Sequence, residues 1–369
     1  MNTPISIAQV IKVLETLAPP SHQEDYDNAG LIVGNPQQAL TGVLIALDSL
    51  ESVVEEAIAC KANLIVAHHP IVFRGLKKLN GKNYIERTLL KAITHQIALY
   101  AIHTNLDNIS KGVNLKICQK LGLQNCQILQ PKSQTLMKLT TFVPTTHTQT
   151  LLTALGNAGA GQIGNYQNCS FRVQGVGTFQ PNDQATPFIG QANQYEEVTE
   201  DRIEVLFEQH QQHQILKTLR QAHPYEEVAY YLHRLENENQ EVGAGMIGEL
   251  TEALPEKDFL AYLKAKMNLK VIRHTQPTGQ PIKRVAVCGG AGSFLLGKAQ
   301  QKGAQAFVSA DFKYHEFFDA ENKLIIADIG HYESEIYTCE LLKDTLFSHF
   351  PTLPLQITQT NTNPIDYYF

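Results

Sequence analysis

Short apolar runs alternate with amphipathic stretches through the first third of the chain. Their spacing predicts strands at 43–47, 64–67 and 98–102, and helices at 49–61 and 84–95. Strands that alternate with helices of this length indicate βαβ units. We therefore expect an α/β fold whose largely parallel sheet has helices over both faces.

The same pattern returns near the other end of the chain, with apolar runs at 285–287, 306–309 and 324–327. The intervening segment is richer in Gly, Gln, Asn and Thr, and its strands look short and alternating. We predict an inserted α+β domain at 136–240. It would interrupt a discontinuous core domain made of 1–135 and 241–369.

Bulk properties restrict the possible partners and location of the chain. The formal charge of −6 gives no reason to expect binding to nucleic acid or to an anionic membrane. No run approaches the roughly 18–20 apolar residues of a membrane span. A helix beginning near Ser6, rather than a secretory signal, is expected at the N-terminus. Six scattered cysteines without a C-x-x-C pair are typical of reduced thiols, and we expect a cytoplasmic protein.

Two adjacent histidines end the second apolar run, in the sequence L-I-V-A-H-H-P. Neighbouring side chains in a strand point to opposite faces of the sheet. His68 and His69 can therefore serve one site only where the strand ends, and Pro70 marks that end. Because imidazole is the commonest protein ligand for transition metals, this pair suggests a metal site.

Other apolar runs also end in groups that bind metals. These groups are Asp48, His103, Asp107, His331 and Glu335. The carboxyl ends of strands in open α/β sheets converge on one ligand site. If Gly330 opens a helix, His331 and Glu335 share one helical face. Three imidazoles and several carboxylates exceed the needs of one tetrahedral ion, and suit two divalent ions bridged by a carboxylate and a water.

Each of these signals has a simpler interpretation when taken alone. A single histidine at a strand end is more often a surface or core residue, and an H-x-x-x-E pair is common on solvated helix faces. Their shared position after apolar strands favours the metal site. The glycine-rich string C-G-G-A-G-S at 288–293 fits a phosphate-binding turn or a plain tight turn equally well.

Three further strings are not expected to carry chemistry. The G-x-G-x-x-G strings at 159–164 and 243–248 lack the strand-turn-helix setting of a dinucleotide site. The acids of H-P-Y-E-E at 223–227 are interpreted as solvated residues at the start of a helix.

Taken together, these motifs resemble the GTP cyclohydrolase I type 2 homologues, also called the Nif-three-like family. The resemblance covers nearly the whole chain. It is carried by Y-D-N-A-G-L-I-V-G-N-P at 26–36, A-H-H-P at 67–70, H-T-N-L-D at 103–107, D-F-K-Y-H at 311–315 and G-H-Y-E-S-E at 330–335. The family commonly has tryptophan before D-N, whereas this chain has Tyr26. The middle segment is similar to the ferredoxin-like PII/CutA insert of the longer bacterial members.

The resemblance implies a dinuclear metal centre and a ring-shaped homohexamer. The implied ligands are His68, His69, Asp107, His331 and Glu335, with Glu335 as the bridge. His103 is expected next to the ligands, where it would orient one of them or shuttle a proton in catalysis. Zinc is the expected metal, with iron, manganese and cobalt as alternatives.

Two functions follow from these expectations. The first is a metal-dependent hydrolase that uses a metal-bridging water on a nucleotide-like, cyclic-amide or phosphoester substrate. The alternative is a regulatory or interaction protein without turnover, whose insert senses a small metabolite or a partner.

Overall fold

The computed structural model describes residues 4–368. The chain forms two compact units: a core made of the segments up to Gln130 and from Glu241 onward, and an insert, Pro131–Gln240. The predicted bounds of this insert are 136–240.

The first core segment alternates helices and strands, as its apolar pattern predicts. Its helices are α1 (Ile7–Leu17), α2 (Glu51–Ala59), α3 (Tyr84–Thr94), α4 (Thr104–Asp107) and α5 (Val113–Lys120), with a 3-10 turn at Pro20–His22. Its strands are β1 (Gly30–Val33), β2 (Val43–Asp48), β3 (Leu64–His69), β4 (Ala98–Ala101) and β5 (Gln124–Lys132).

The insert has the element order β-α-β-β-α-β. Its elements are β6 (Leu136–Pro144), α6 (Thr148–Asn157), β7 (Ser170–Phe179), β8 (Glu196–Glu208), α7 (Gln212–Ala222) and β9 (Tyr230–Leu235), with a 3-10 turn at Gln209–Gln211. The second core segment contains β10 (Asn239–Leu254), α8 (Glu256–Lys266), β11 (Arg273–His274), β12 (Ile282–Ala291), α9 (Leu296–Gln301), β13 (Ala306–Ala310), β14 (Ile325–Asp328), α10 (His331–Glu335), α11 (Thr338–His349) and β15 (Leu355–Ile357), with 3-10 turns at Ser293–Leu295 and Tyr314–Ala320.

The core contains two mixed sheets rather than wholly parallel ones. The first has the strand order β1-β4-β3-β2-β15, with β15, β2, β3 and β4 parallel and β1 antiparallel. The second has the order β11-β14-β13-β12-β10-β5, in which β12, β13 and β14 are parallel. Strands β10 and β11 pair antiparallel with this parallel centre.

Apolar side chains cover both faces of each parallel centre, and this burial explains the unbroken apolar runs of these strands. One cluster joins the two sheets to α1, α5, α8 and α11, and includes Val66, Val287 and Leu342. The opposite face of the first sheet packs on α2 and α3, and that of the second on α9. Each parallel strand therefore offers polar groups only at its ends.

The insert is a four-stranded antiparallel sheet of order β7-β8-β6-β9, with α6 and α7 packed on one face. This order and connectivity are those of the split β-α-β arrangement. The prediction of short strands is wrong, since β8 has 13 residues and β7 has 10. Many of their residues face solvent, which weakens the apolar alternation that marks a strand. The H-P-Y-E-E string is also not a helix start, because it follows α7 and leads to β9.

Candidate metal centre

The carboxyl ends of strands from both core sheets bring the predicted site residues together. Strand β3 ends in His68 and His69, and β4 leads through His103 into α4, which ends at Asp107. Strand β14 leads to Gly330, whose φ of 91° opens α10. His331 and Glu335, at opposite ends of this short helix, face the same point.

Three of these side chains form a tight group of ligand atoms. Oε2 of Glu335 lies 2.9 Å from Nε2 of His69 and 3.1 Å from Nε2 of His331. The two Nε2 atoms are 3.3 Å apart. A tetrahedral ion with bonds of about 2.0–2.1 Å holds its ligand atoms about 3.3 Å apart. The three atoms are therefore spaced as the ligands of one small divalent ion.

A second group of ligand atoms uses the other oxygen of Glu335. Oε1 of Glu335 is 3.8 Å from Nε2 of His68, which is in turn 3.6 Å from Oδ1 of Asp107. Nε2 of His68 and Oδ1 of Asp107 are buried without a hydrogen-bond partner among residues 4–368. Buried polar atoms are nearly always satisfied, so this pair fits a bound cation.

The opposite nitrogen of each imidazole is held by an acceptor. Nδ1 of His68 lies 2.9 Å from the carbonyl oxygen of Ile102, Nδ1 of His69 lies 2.8 Å from Asp48, and Nδ1 of His331 lies 2.6 Å from Asp311. Because carbonyl and carboxylate oxygens only accept, Nδ1 donates its proton in each case. The Nε2 lone pairs are thereby directed to Glu335, which is the arrangement that metal-binding histidines usually show.

The surrounding carboxylates make two of the imidazoles strongly basic. Burial lowers the pKa of His69, but hydrogen bonds with Asp48 and Glu335 outweigh burial and raise that pKa to about 9. Burial likewise acts on His331, yet hydrogen bonds with Asp311 and Glu335 raise its pKa to about 11. The contact between the two Nε2 atoms requires a proton or a cation, and a divalent ion would compete with the proton.

Burial and neighbouring charges also shift the pKa values of the remaining members of the cluster. Burial lowers the pKa of His68, and burial together with the charge of Glu335 raises the pKa of Asp107 well above its usual value. Burial also acts to raise the pKa of Glu335, but the hydrogen bonds with His331 and His69 and the nearby His68 imidazole hold that pKa well below its usual value. Glu335 is therefore ionised at the centre of both groups.

His103 lies beside the two groups of ligand atoms. Its ring centroid is 5.3 Å from that of His68 and 5.4 Å from that of His69. Its Nδ1 donates to Oδ1 of Asp27 at 2.7 Å. Burial acts to raise the pKa of Asp27, but hydrogen bonds from His103 and Thr104 lower it to about 2. An ionised carboxylate therefore fixes the His103 ring, whose side chain keeps 13% of its surface exposed to the cavity.

The glycine string at 288–293 forms the irregular end of β12 and leads into the 3-10 turn at Ser293–Leu295, and its glycines make room for the cluster. The amide of Gly289 donates to Oδ1 of Asn114 and that of Gly290 to Oγ of Ser334, both at 2.9 Å. These two amides are therefore not free to hold a phosphate. Gly290 has a φ of 62°, and a Cβ there would lie 2.4 Å from Oε1 of Glu335.

The cluster opens into a cavity of about 510 Å³, which is within the usual range of small-molecule sites. Aromatic side chains are prominent in its wall, namely Tyr26, Phe73, Tyr84 and Tyr332. Among the described residues, no Lys or Arg lines this cavity. The wall suits a flat, uncharged body placed against the cluster.

Three carboxylates of the site were not selected from the sequence. Asp27 and Asp311 lie within the family motifs but are not predicted ligands. Asp48 is one of the predicted metal-binding groups that end apolar runs, but it is not among the implied ligands. Both oxygens of Asp48 are used by protein groups, Nδ1 of His69 and Oγ1 of Thr362. The available signal was positional, because Asp48 ends β2 and Asp311 directly follows β13.

The fold and this cluster define an α/β protein with side chains that could hold metal ions. Residues 5–364 match the Duf34/NIF3 (NGG1p interacting factor 3) family. The chain is 35% identical over 368 residues to a "GTP cyclohydrolase 1 type 2 homolog" of Bacillus subtilis (97% of this chain, 98% of the relative). A protein of the same name from Halalkalibacterium halodurans is 40% identical over 324 residues, 87% of each chain.

A solved structure agrees with these relatives. The Bacillus cereus protein related to NIF3 superposes with a TM-score of 0.88 at 34% identity, over 100% of both chains. The chain belongs to the Duf34/NIF3 family, as the sequence motifs predicted. Over residues 4–368, no helix is both long enough and apolar enough to cross a bilayer.

Proposed function

We propose that the chain binds two divalent metal ions and acts as a metal-dependent hydrolase. The observation that carries this proposal is the position of Glu335, which gives one carboxylate oxygen to each of two groups of ligand atoms. His69 and His331 complete one group, and His68 and Asp107 complete the other. A bridging carboxylate between two such groups is typical of dinuclear centres.

Each part of the site has a role in this chemistry. Divalent ions supply Lewis-acid activation of a water and of a polar substrate atom. Zinc is the expected metal, and the ligand atoms around His69 have the spacing of a small divalent ion. His103, held by Asp27 and partly exposed to the cavity, is placed to accept or return a proton near the substrate.

The cavity favours a flat ring with a hydrolysable C–N bond over a substrate recognised by its phosphates. Aromatic walls bind ring faces, and no Lys or Arg among the described lining residues would pair with a triphosphate. The relatives' name refers to GTP, whose purine ring would fit this wall better than its phosphate chain. We therefore rank cyclic amides and purine rings first, and phosphoesters second.

Turnover by the metal-loaded full-length chain tests this proposal. GTP, neutral cyclic amides and phosphoesters are compared, with Glu335→Gln as the inactive variant. Glu333→Gln is the matched control, because Glu333 lies on the same helix and accepts instead from Asn363 at 3.0 Å. Turnover that needs Glu335 but not Glu333 supports the hydrolase. Absence of turnover on all three classes, in protein that holds its ions, contradicts it.

The second candidate is a regulatory protein without turnover. It is favoured by the insert, which is a compact unit of its own with a separate cavity. We propose that this insert is a PII/CutA-like ligand-binding domain, because its split β-α-β arrangement is that of such domains. If a metabolite bound to the insert and changed turnover by the core, both candidate functions would hold, because the chain would be a hydrolase regulated through its insert.

We also propose that the chain assembles as a homohexamer. Its core exposes large aromatic side chains, including Phe294, Tyr314 and Phe318, each more than 60% accessible. Exposed apolar groups of this size commonly mark protein interfaces. Light scattering should give a mass of six 41.1 kDa chains. A monomer at micromolar concentration contradicts the assembly.

A further inference from the structure

A second cavity, of about 640 Å³, lies wholly within the insert. Its floor is the face of the sheet opposite α6 and α7, near the β7–β8 pair. Residues 185–189 and 225–229 contribute the remaining wall. The backbone amide of Thr186 donates to Oε1 of Glu226 at 2.8 Å, which ties the first of these segments to the second. The volume is that of a small-molecule site.

Glu200 is a buried carboxylate in the wall of this cavity, with only 7% of its surface exposed. Its Oε1 accepts from the hydroxyl of Tyr225 at 2.8 Å. Oε2 of Glu200 is not among the buried atoms of residues 4–368 that lack a partner, so it meets the open cavity. A ligand in the cavity that carries a hydrogen-bond donor could therefore reach it.

Two glycines in β7 keep the floor of the cavity open. A Cβ at Gly177 would lie 2.1 Å from Oε2 of Glu200, so only glycine permits this carboxylate position. At Gly175, which pairs in register with Glu200, a Cβ would meet nothing within 4 Å. Glycine within a strand weakens it and often marks the close approach of a ligand or another backbone. The open space over Gly175 lies beside the Glu200 carboxylate.

The wall and its charges select the class of ligand. Aromatic rings line the cavity, namely Phe142, Phe179, Phe188, Tyr225 and Tyr231. Its charged members are Glu200, Glu226, Glu227 and Arg202, and Arg202 already donates to Glu204 at 2.6 Å. Aromatic faces beside unpaired carboxylates attract organic cations. Because Oε2 of Glu200 can accept a hydrogen bond from the cavity, the cation should carry N–H groups.

We propose that the insert binds a small protonated amine with an apolar body, whose ammonium group donates to Glu200 and whose body packs on the aromatic wall. This site is separate from the metal cluster, and it binds whether or not the core turns over a substrate. It assigns a ligand chemistry to the H-P-Y-E-E segment, which supplies Tyr225, Glu226 and Glu227.

Ligand-observed NMR titration of the full-length chain tests the proposal with three phenyl probes of similar size. Phenethylamine should bind, while the neutral 2-phenylethanol and the anionic phenylacetate should bind at least about tenfold more weakly, as expected for loss of a charge-assisted hydrogen bond. Equal binding of the amine and the alcohol would overturn the proposal. The absence of phenethylamine binding at millimolar concentration would also overturn the proposal. This includes the case in which a second copy of the chain buries this face.

Variants locate the binding within the insert. Glu200→Gln should weaken phenethylamine roughly tenfold or more and remove its advantage over the alcohol. Glu197→Gln is the matched control, because it removes the same charge from an exposed position of β8 outside the cavity wall. Gly175→Val should block all three probes by filling the open space. Unchanged phenethylamine affinity in folded Glu200→Gln or Gly175→Val protein would refute the assignment.

Discussion

The substitution Glu335→Gln tests whether one carboxylate bridges two ions. The side chain is 3% exposed, and its two oxygens serve different groups of ligand atoms. Glutamine has the same shape, so the cavity is preserved while the charge is lost. Its amide offers only one oxygen, and the NH2 group must face the other group of ligands. One ion therefore loses its shared ligand completely, and the other keeps a neutral one.

The expected loss of metal affinity follows from the direct contact of Glu335 with both groups of ligand atoms. Replacing a residue that only orients a metal ligand typically costs 10–100-fold in affinity. Replacing a residue that itself contacts the ion should reduce the metal affinity by at least the upper end of this range. About 100-fold is about 2.8 kcal/mol, for the ion that keeps the amide oxygen. The ion beside the NH2 group should be lost.

The assay is the metal content after dialysis against a weak chelator. The unchanged chain should keep two ions, whereas Glu335→Gln should keep none or one weakly held ion. Single-group variants give the contrast: His331→Ala should release only the ion near His69, and Asp107→Asn only the ion near His68. Glu333→Gln should keep both. The reasoning fails if Glu335→Gln retains two ions, or if it loses one while the other binds as tightly as before.

Three further outcomes are expected from the same cluster. The folded pKa of His69 (about 9) and His331 (about 11) lies above the unfolded value near 6.5, so their protonation stabilises the metal-free chain fully below pH 6.5. The free energy of unfolding of the metal-free chain should therefore fall as pH rises through 9. Denaturant titrations at pH 6.5 and 9.5 should show this fall without zinc and little or no fall with saturating zinc, because bound zinc replaces the same protons in the folded chain. Asp311→Asn should weaken the ion near His331 by about 10–100-fold in a chelator competition, and an unchanged affinity would contradict the orienting role of its 2.6 Å contact. Gly290→Ala should displace Glu335 and lower metal content in a protein that still shows native circular dichroism, whereas full metal content would show that the end of β12 can shift.

The parallel centre of the core was predictable because burial on both faces leaves an unbroken apolar run. Strand β3 shows this well, since Leu64 to Ala67 are buried and the polar residues come only at its end. The edge strands were harder, because β11 has two exposed residues and no apolar pattern. In the insert, β7 is largely exposed, and the interior glycines 175 and 177 suggest a turn rather than a ten-residue strand.

The sequence identified the residues that the structure gathers at Glu335, because each ends a strand or lies in the short helix that follows one. Their precise pairing depends on how two sheets meet, which no local pattern encodes. The aspartates behind the imidazoles were missed for the same reason. Asp311 reaches His331 across twenty residues from a left-handed backbone conformation with a φ of 58°. Such a partner is visible only in three dimensions.

The insert separates the ligands of the metal cluster along the chain, and this separation links ion binding to the stability of the core. His69 and Glu335 are 266 residues apart, and the whole insert lies between them. Bringing such distant ligands together costs chain entropy, and an ion binds strongly only after both core segments have folded. The free energy of ion binding therefore stabilises the folded core by mass action. The ions would then serve the core's stability as well as any chemistry, so loss of activity in a ligand variant has two possible causes. Metal content and unfolding midpoint must be measured alongside turnover, because only a variant that stays folded with one ion absent reports on the reaction itself.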